Sequence, residues 1–116
     1  MPLIKLQTSV SVPDAKRQPL LASLSKILTE SIGKPEQYVM AIVQDGAPIM
    51  MSGKPGDAAF AEVKSIGGLS AKVNAQIARK LCTLLDESLG IPGNRVYISF
   101  ADVSASDWGW NGDTFG

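Results

Sequence analysis

Apolar residues recur at helical spacing in two stretches of the chain. Within each stretch, successive apolar positions lie one, three or four residues apart, which places them along one side of an α-helix. The first stretch contains Leu20, Leu21, Leu24, Ile27, Leu28 and Ile32, and the second contains Val73, Ile77, Leu81, Leu84, Leu85 and Leu89. The pattern predicts two helices, each with one buried side.

Both predicted helices have recognisable ends. Pro13 suits the opening turn of the first helix, and Ser70 is a good N-cap for the second. Each helix is followed by a Gly-x-Pro sequence, Gly33-Lys34-Pro35 and Gly90-Ile91-Pro92. The glycine can adopt the left-handed conformation that ends a helix, and the proline prevents the helix from resuming.

Strands are predicted on both sides of each helix. Apolar and β-branched runs cover residues 3–8, 38–44, 58–66 and 95–101. A shorter strand is predicted at residues 49–51, between two segments with turn chemistry. The order is therefore β-α-β-β-α-β, with a right-handed crossover expected in each β-α-β unit.

The two β-α-β units form an internal repeat. Residues 31–45 align with residues 88–102, a shift of 57 (88 − 31). The serine, glycine, proline, valine and aspartate are identical at equivalent places, and the aligned segments end at Asp45 and Asp102. The whole chain, residues 1–116, is accordingly interpreted as one α+β domain, a two-layer sandwich of a sheet and two helices.

The predicted sheet has one face that this chain cannot cover. Two helices can pack on a single face, yet residues 39–43 are apolar at consecutive positions and residues 96–100 nearly so. Both faces of these strands therefore avoid water. We expect a homo-oligomer that buries the second face against other copies of the chain.

Composition removes several classes of function. The chain has 116 residues with no histidine and one cysteine, so it cannot build a histidine-dependent nucleophile, an imidazole metal site, an internal disulfide or a cysteine-rich zinc site. Eleven basic and eleven acidic residues give a net charge of zero, which disfavours nucleic-acid binding. No apolar run approaches the roughly 20 residues that span a bilayer, and no secretory leader is evident, so a cytoplasmic protein is expected.

Pro2 is the most interesting candidate for proton transfer. Removal of Met1 would give Pro2 a free secondary amine, and proline is tolerated at the first position of a strand. A base at neutral pH needs its pKa lowered by about two units, or about 2.7 kcal/mol. Burial supplies part of this, and a lysine ~7 Å away supplies about 2.4 kcal/mol at an effective dielectric constant of 20. The alternative is that Pro2 is simply a common second residue.

Other candidate residues also have ordinary structural explanations. Lys34 would be favoured at the end of a helix by the macrodipole, and Cys82 is expected to be a small buried apolar group. Tyr38 and Tyr97 are typical of strand packing. The aromatic residues of the tail, Trp108, Trp110 and Phe115, could form either a lid over the core or a ligand pocket.

Several separated motifs nevertheless occur together along the whole chain. They are Met1-Pro2, Ser11-Val12-Pro13, Gly33-Lys34-Pro35-x-Gln37-Tyr38, Ser65-Ile66-Gly67, Leu81-Cys82, Arg95-Val96-Tyr97-Ile98, and Gly109-Trp110-Asn111 before Thr114-Phe115. In this order and spacing, the chain resembles the macrophage migration inhibitory factor family of the tautomerase superfamily. The resemblance implies a homotrimer and a cofactor-independent, metal-free keto–enol tautomerase (an isomerase) acting on phenylpyruvate-type 2-oxo acids and dopachrome.

The resemblance also implies roles for individual residues. Pro2 would be the catalytic base that moves a proton between carbon and oxygen. Lys34, Ser65 and the Ile66 backbone would bind the substrate's carboxylate and 2-oxo group, with Tyr97 entering from the adjacent subunit and Ser99 near the distal ring. Tyr38, Trp108, Trp110 and Phe115 would shape an aromatic pocket.

Some positions depart from the family pattern. Ser99 replaces an asparagine of vertebrate members, and Trp108 replaces a smaller apolar residue, so substrate preference is expected to differ. Ala58-Ala59-Phe60-Ala61 stands in place of a Cys-x-x-Cys motif, so the thiol pair needed for that motif's oxidoreductase activity is missing. Since the family includes cytokine-like members, the alternative interpretation is a signalling or interaction protein with a vestigial pocket, binding a receptor by family analogy.

Overall fold

The computed structural model describes residues 1–116 and contains one four-stranded mixed sheet. Its strands are β1 (Pro2–Thr8), β2 (Met40–Gln44), β3 (Ala59–Ser65) and β4 (Val96–Asp102), in the spatial order β2-β1-β3-β4. The pairs β1–β2 and β3–β4 are parallel, whereas the central pair β1–β3 is antiparallel. Each parallel pair is joined through a helix, so the two predicted β-α-β units and the α+β class are confirmed.

The helices are α1 (Asp14–Ile32) and α2 (Ala71–Leu89). Ser70 caps α2, because its Oγ accepts a hydrogen bond from the Val73 N–H at 3.1 Å. Gly33 and Gly90 end the helices in the left-handed conformation, with φ of 79° and 69°. Local sequence signals therefore predicted both helix ends correctly.

One hydrophobic core joins both helices to one face of the sheet. Every second side chain of β1 and β3 is buried, as alternation in a strand requires. The cluster comprises Ile4, Leu6, Val12, Leu20, Leu24, Ile27, Leu28, Ala59, Ala61, Val63, Ile77, Leu81, Leu85, Ile91 and Val96. Since members of both helices belong to one cluster, the helices lie on the same side of the sheet. Neither helix has a stretch long and apolar enough to cross a lipid bilayer.

The predicted beginnings of two strands are corrected by the structure. Tyr38 lies in a 3-10 turn (Glu36–Tyr38), and Arg95 lies in an equivalent turn (Gly93–Arg95). In each turn the N–H of the last residue donates to the carbonyl of the preceding proline, at 3.1 Å to Pro35 and 2.9 Å to Pro92. The chain needs this extra turn after each helix before it can enter the sheet.

The strand predicted at residues 49–51 does not form within this chain. Met51 makes only an isolated bridge to Lys54 across a tight turn with Ser52 and Gly53 at positive φ. A strand requires a neighbouring strand to pair with, and no strand of this chain pairs with this segment. Arg95 instead fixes the loop, because its guanidinium donates to the carbonyls of Met51, Lys54 and Asp57.

The tail contains a hairpin that was not predicted. Two short strands, β5 (Gly109–Trp110) and β6 (Asp113–Thr114), pair across Asn111 and Gly112. Both turn residues have positive φ, 51° and 82°, as a type I′ turn requires. The Asn-Gly pair was therefore the sequence signal for this hairpin.

The second face of the sheet carries no helix. By strand register, its side chains are Leu3, Lys5, Gln7, Met40, Ile42, Gln44, Phe60, Glu62, Lys64, Tyr97, Ser99 and Ala101, here called the open face. Met40 and Tyr97 are 60% and 66% exposed. The open face is more mixed in polarity than the apolar runs predicted, but it contains large apolar side chains that only another molecule could bury.

Candidate active site

Pro2 lies at the beginning of β1, where three strands meet at one end of the sheet. It is paired with Ser65 of β3, and Ser65 is paired in turn with Asp102 of β4. The Pro2 side chain is fully buried. Proline fits this position because the first residue of a strand can do without an N–H donor. A chain starting at Pro2 would therefore carry its amine at an apolar, partly dehydrated edge of the sheet.

Lys34, in the segment between α1 and β2, lies near the same end of the sheet. The pKa of the amino terminus on Met1 is lowered from its ordinary value by burial and, secondarily, by the positive charge of Lys34. The Lys34 side chain also runs beside Gly68, since a Cβ placed on that glycine would lie 3.8 Å from Lys34 Cε. A cation and an amine of lowered pKa thus lie close together.

The turn after β3 completes this group of residues. Ser65 is buried, and its Oγ donates to the Gly67 carbonyl at 2.7 Å. The Gly67 N–H donates to Asp102 Oδ1 at 2.9 Å, and the Val103 N–H donates to the Ser65 carbonyl at 2.9 Å. The turn that contains Ile66 is therefore tied to the ends of both β3 and β4.

Gly68 must be a glycine for two reasons. Its φ of +81° is rarely adopted by residues with a side chain, and a Cβ there would lie only 2.6 Å from Ile32 Cγ2. This close approach joins the turn after β3 to the end of α1. Ile32 directly precedes the Gly33-Lys34-Pro35 segment, so the turn after β3 lies beside the chain that carries Lys34.

The predicted aromatic residues form a separate group in the tail. Trp110 and Phe115 are stacked with ring centroids 6.1 Å apart and planes inclined by 13°. The Phe115 N–H donates to the Trp108 carbonyl at 3.1 Å, which closes the hairpin over a half-buried Trp108. Trp110 is 67% exposed and Tyr38 is 46% exposed, so within one chain neither forms an enclosed pocket.

Tyr97 and Ser99 lie on the open face, away from Pro2. Tyr97 pairs with Phe60, five residues along β3 from the Ser65 that pairs with Pro2. At ~3.3 Å per residue, this separates Tyr97 from Pro2 by about 17 Å along the sheet. Within one chain the structure therefore brings together Pro2, Lys34, Ser65 and Ile66, but not Tyr97 or Ser99.

A cavity of about 400 Å³ occurs elsewhere in the molecule, between the two helices. None of the predicted site residues lines it. Its lining residues are Ser23, Lys26, Ile27, Glu30, Arg79, Lys80, Thr83, Leu84 and Glu87. This groove is open and mostly charged, and it lacks the apolar lining and convergent polar groups of a typical small-molecule site.

Asp102 and Gly68 are functional candidates that the sequence analysis did not single out. The internal repeat carried a signal for Asp102, because it aligned this residue with Asp45. Nothing in the sequence indicated the close packing of Gly68 against Ile32, because two adjacent glycines are common in any turn. Neither residue could be connected with Pro2 before the strand pairing was known.

Comparison with known proteins was made by sequence and by structure. The family model described as macrophage migration inhibitory factor (MIF) matches residues 1–116. A MIF homolog of Trichuris trichiura is 38% identical over 115 residues, covering 99% of this chain and all of that protein, and MIF of Xenopus laevis is 40% identical over 120 residues, covering 99% of each. The crystal structure of a MIF homologue from Prochlorococcus marinus superposes with a TM-score of 0.93 at 44% identity, covering 98% of this chain and 99% of that one.

Proposed function

Because this chain belongs to the macrophage migration inhibitory factor family, we propose that it is a cofactor-independent keto–enol tautomerase. The proposed substrates are phenylpyruvate-type 2-oxo acids and dopachrome. The observation that carries the proposal is the buried Pro2 at the start of β1, beside Lys34 and the turn after β3.

The proposed base is the ring nitrogen of Pro2 after Met1 has been removed. In the structure, burial and, secondarily, the positive charge of Lys34 lower the pKa of the Met1 amine. The Pro2 amine would begin one residue further along, on a buried residue, where the same two effects disfavour its protonated form. An unprotonated amine can accept a proton from the carbon next to the ketone, and the resulting ammonium can return that proton to the enolate oxygen. The reverse sequence converts the enol into the ketone, so no external redox partner is needed.

Lys34 and the turn after β3 are proposed to bind the polar end of the substrate. The ammonium of Lys34 can pair with the substrate's carboxylate and stabilise negative charge that develops on the 2-oxo oxygen. The Ile66 backbone lies in a turn fixed by hydrogen bonds from Ser65 and to Asp102, so it can offer its polar groups with little loss of conformational entropy. The interaction of Lys34 with the 2-oxo oxygen strengthens as the enolate forms and so favours the transition state.

The remaining part of the pocket is proposed to come from a homotrimer. Tyr97 is far from Pro2 in its own chain but exposed on the open face, where a neighbouring subunit could receive it. Tyr38, Trp108, Trp110 and Phe115 would surround the substrate's ring, with Ser99 near its distal end. The site would then be complete only between subunits.

The proposal is tested by replacing the base. Pro2→Gly keeps a small second residue, so Met1 should still be removed, which intact-mass measurement verifies. Enolisation of phenylpyruvate should fall by about 10²- to 10⁴-fold, the usual contribution of a positioned base. Pro48→Gly, in an exposed loop, is the matched control and should retain the native rate. Equal rates for Pro2→Gly and the native protein would exclude Pro2 as the base.

A cytokine-like role is the second candidate, and the observation that favours it is the naming of the full-length relatives as migration inhibitory factors. Such a role would depend on a surface that binds a receptor, and it would not require Pro2 to transfer protons. A native protein that binds a receptor tightly and has no tautomerase activity would reverse the order of the two candidates.

A further inference from the structure

The turn between β3 and α2 depends on one exposed carboxylate. Its glycines Gly67 and Gly68 have φ of +73° and +81°, and flanking glycines give a turn many alternative conformations. Only one side chain from another strand contacts its backbone polar groups: Asp102, whose Oδ1 accepts from the Gly67 N–H at 2.9 Å. This hydrogen bond ties the turn to the end of β4, so it selects one conformation of the turn.

The internal repeat contains a second carboxylate with the same task. Asp45, which aligns with Asp102, follows β2 and accepts from the Val12 N–H at 2.8 Å. In both repeats, the aspartate at the carboxyl end of the second strand, Asp102 as the last residue of β4 and Asp45 directly after β2, therefore holds the segment that leaves the first strand. Asp45 is at the opposite end of the sheet from Pro2, because β1 and β2 are parallel and Gln7 pairs with Gln44.

The two aspartates differ in their partners. Asp45 also pairs with the guanidinium of Arg17 at 3.1 Å, and its pKa is lowered by the Val12 hydrogen bond and by Arg17. Asn74 is the residue 57 positions after Arg17, and Asp102 has no cationic partner in the chain. Asp102 therefore acts on the turn alone, at the end of the sheet where the substrate would bind.

We propose that Asp102 is a positioning residue for the tautomerase site, which fixes the Ile66–Gly68 turn so that the Ile66 backbone can bind the 2-oxo acid. This inference rests on the proposed function. The essential property of Asp102 is its acceptor oxygen, because an uncompensated negative charge near an anionic substrate is unfavourable in itself. An asparagine should therefore replace it, whereas an alanine should not.

The experiment compares Asp102→Ala, Asp102→Asn and the native protein in phenylpyruvate enolisation. Asp102→Ala should raise KM by about tenfold with kcat changed less than threefold, because the turn orders substrate rather than moving the proton. Asp102→Asn should keep KM within about threefold of the native value. An unchanged KM in Asp102→Ala, or an equal rise in both variants, would overturn the proposal.

A matched variant separates positioning from general stability. Asp45→Ala removes the same kind of hydrogen bond at the far end of the sheet, so it should destabilise the fold without raising KM. An equal rise of KM in Asp45→Ala and Asp102→Ala would contradict a specific role for Asp102. If the native protein is inactive, the proposed function fails; if it is active and Pro2→Gly is not, the KM values alone decide the role of Asp102.

The hydrogen bond between Asp102 and the Gly67 N–H can also be tested in the native protein, without any substitution. Amide hydrogen exchange followed by NMR should show the Gly67 N–H protected relative to Gly53, which lies in an exposed loop turn. Equal exchange rates for these two amides would mean that the Asp102 hydrogen bond is not maintained in solution, which would also overturn the proposal.

Discussion

Lys34 shows how one side chain can have both a local and a long-range role. Its place after Gly33 suits the negative end of the α1 dipole, which is the ordinary explanation for a lysine there. In the folded chain it also acts on the amino terminus, although Lys34 and Met1 are 33 positions apart in the sequence (34 − 1). The amine begins β1 and Lys34 precedes β2, so the parallel pairing of these strands brings the two charges together.

Removing the Lys34 charge should change the pH dependence of the proposed reaction. A neighbouring cation lowers the pKa of the amine, so Lys34→Met should raise it and shift the rising limb of kcat/KM to higher pH. KM should also rise, since the substrate's carboxylate loses its partner. Lys26→Met, on an exposed part of α1, is the control and should leave the profile unchanged. A limb at the same pH in all three proteins would contradict the role of Lys34.

At the scale of elements, the two connections from helix to strand repeat the same structure. Each has a left-handed glycine, a proline and a 3-10 turn before the strand begins. Hydrophobic pattern alone placed Tyr38 and Arg95 within the strands, because a short 3-10 turn has no period of its own. The turn after β3 is different, since its geometry is set by contacts with α1 and β4 rather than by its own sequence.

Substituting the two glycines Gly68 and Gly46 should separate these effects. Both have positive φ, so an alanine at either costs about 1–2 kcal/mol in backbone strain. Only at Gly68 does the new methyl group approach another side chain, Ile32, whereas Gly46 has open space. Gly68→Ala should lower the free energy of unfolding in urea by about 1–3 kcal/mol more than Gly46→Ala. Equal losses would show that Ile32 moves aside without cost.

For the whole molecule, the open face is the dominant feature. Two helices cover one side of the sheet, and the other side exposes Met40 and Tyr97. Met50, in a loop outside the sheet, is also 70% exposed. A tautomerase site assembled between copies would use the open face and bring a distant Tyr97 to Pro2.

We expect a solution mass near three times the 12.3 kDa of the chain, measured by sedimentation equilibrium or light scattering. Activity should fall in parallel with the trimer fraction on dilution, because Tyr97 would be lost from the site when subunits separate. A stable monomer with full tautomerase activity would contradict both the assembly and the shared pocket.

The sequence by itself determined the elements and the family. Helix ends follow from contacts within three or four residues, as at Ser70 and Gly90, and these are readable without a fold. The motifs around Pro2, Lys34 and Tyr97 were sufficient to identify the family, and the Asn111-Gly112 hairpin was encoded locally although it was overlooked. The Asn-Gly pair was the visible signal for that hairpin. The strand predicted at residues 49–51 was wrong, because the segment has a composition typical of a strand but pairs with no other strand of the chain.

Only the tertiary structure decided which residues meet at the end of the sheet. The pairing of Pro2 with Ser65, and of Ser65 with Asp102, joins residues that are 63 and 37 positions apart (65 − 2 and 102 − 65). Hydrophobic periodicity tells which side of a strand is buried, but it does not specify the order of strands or their register. Those follow from the joint packing of both helices on one sheet face, and they place Lys34, the turn after β3 and the amino terminus together.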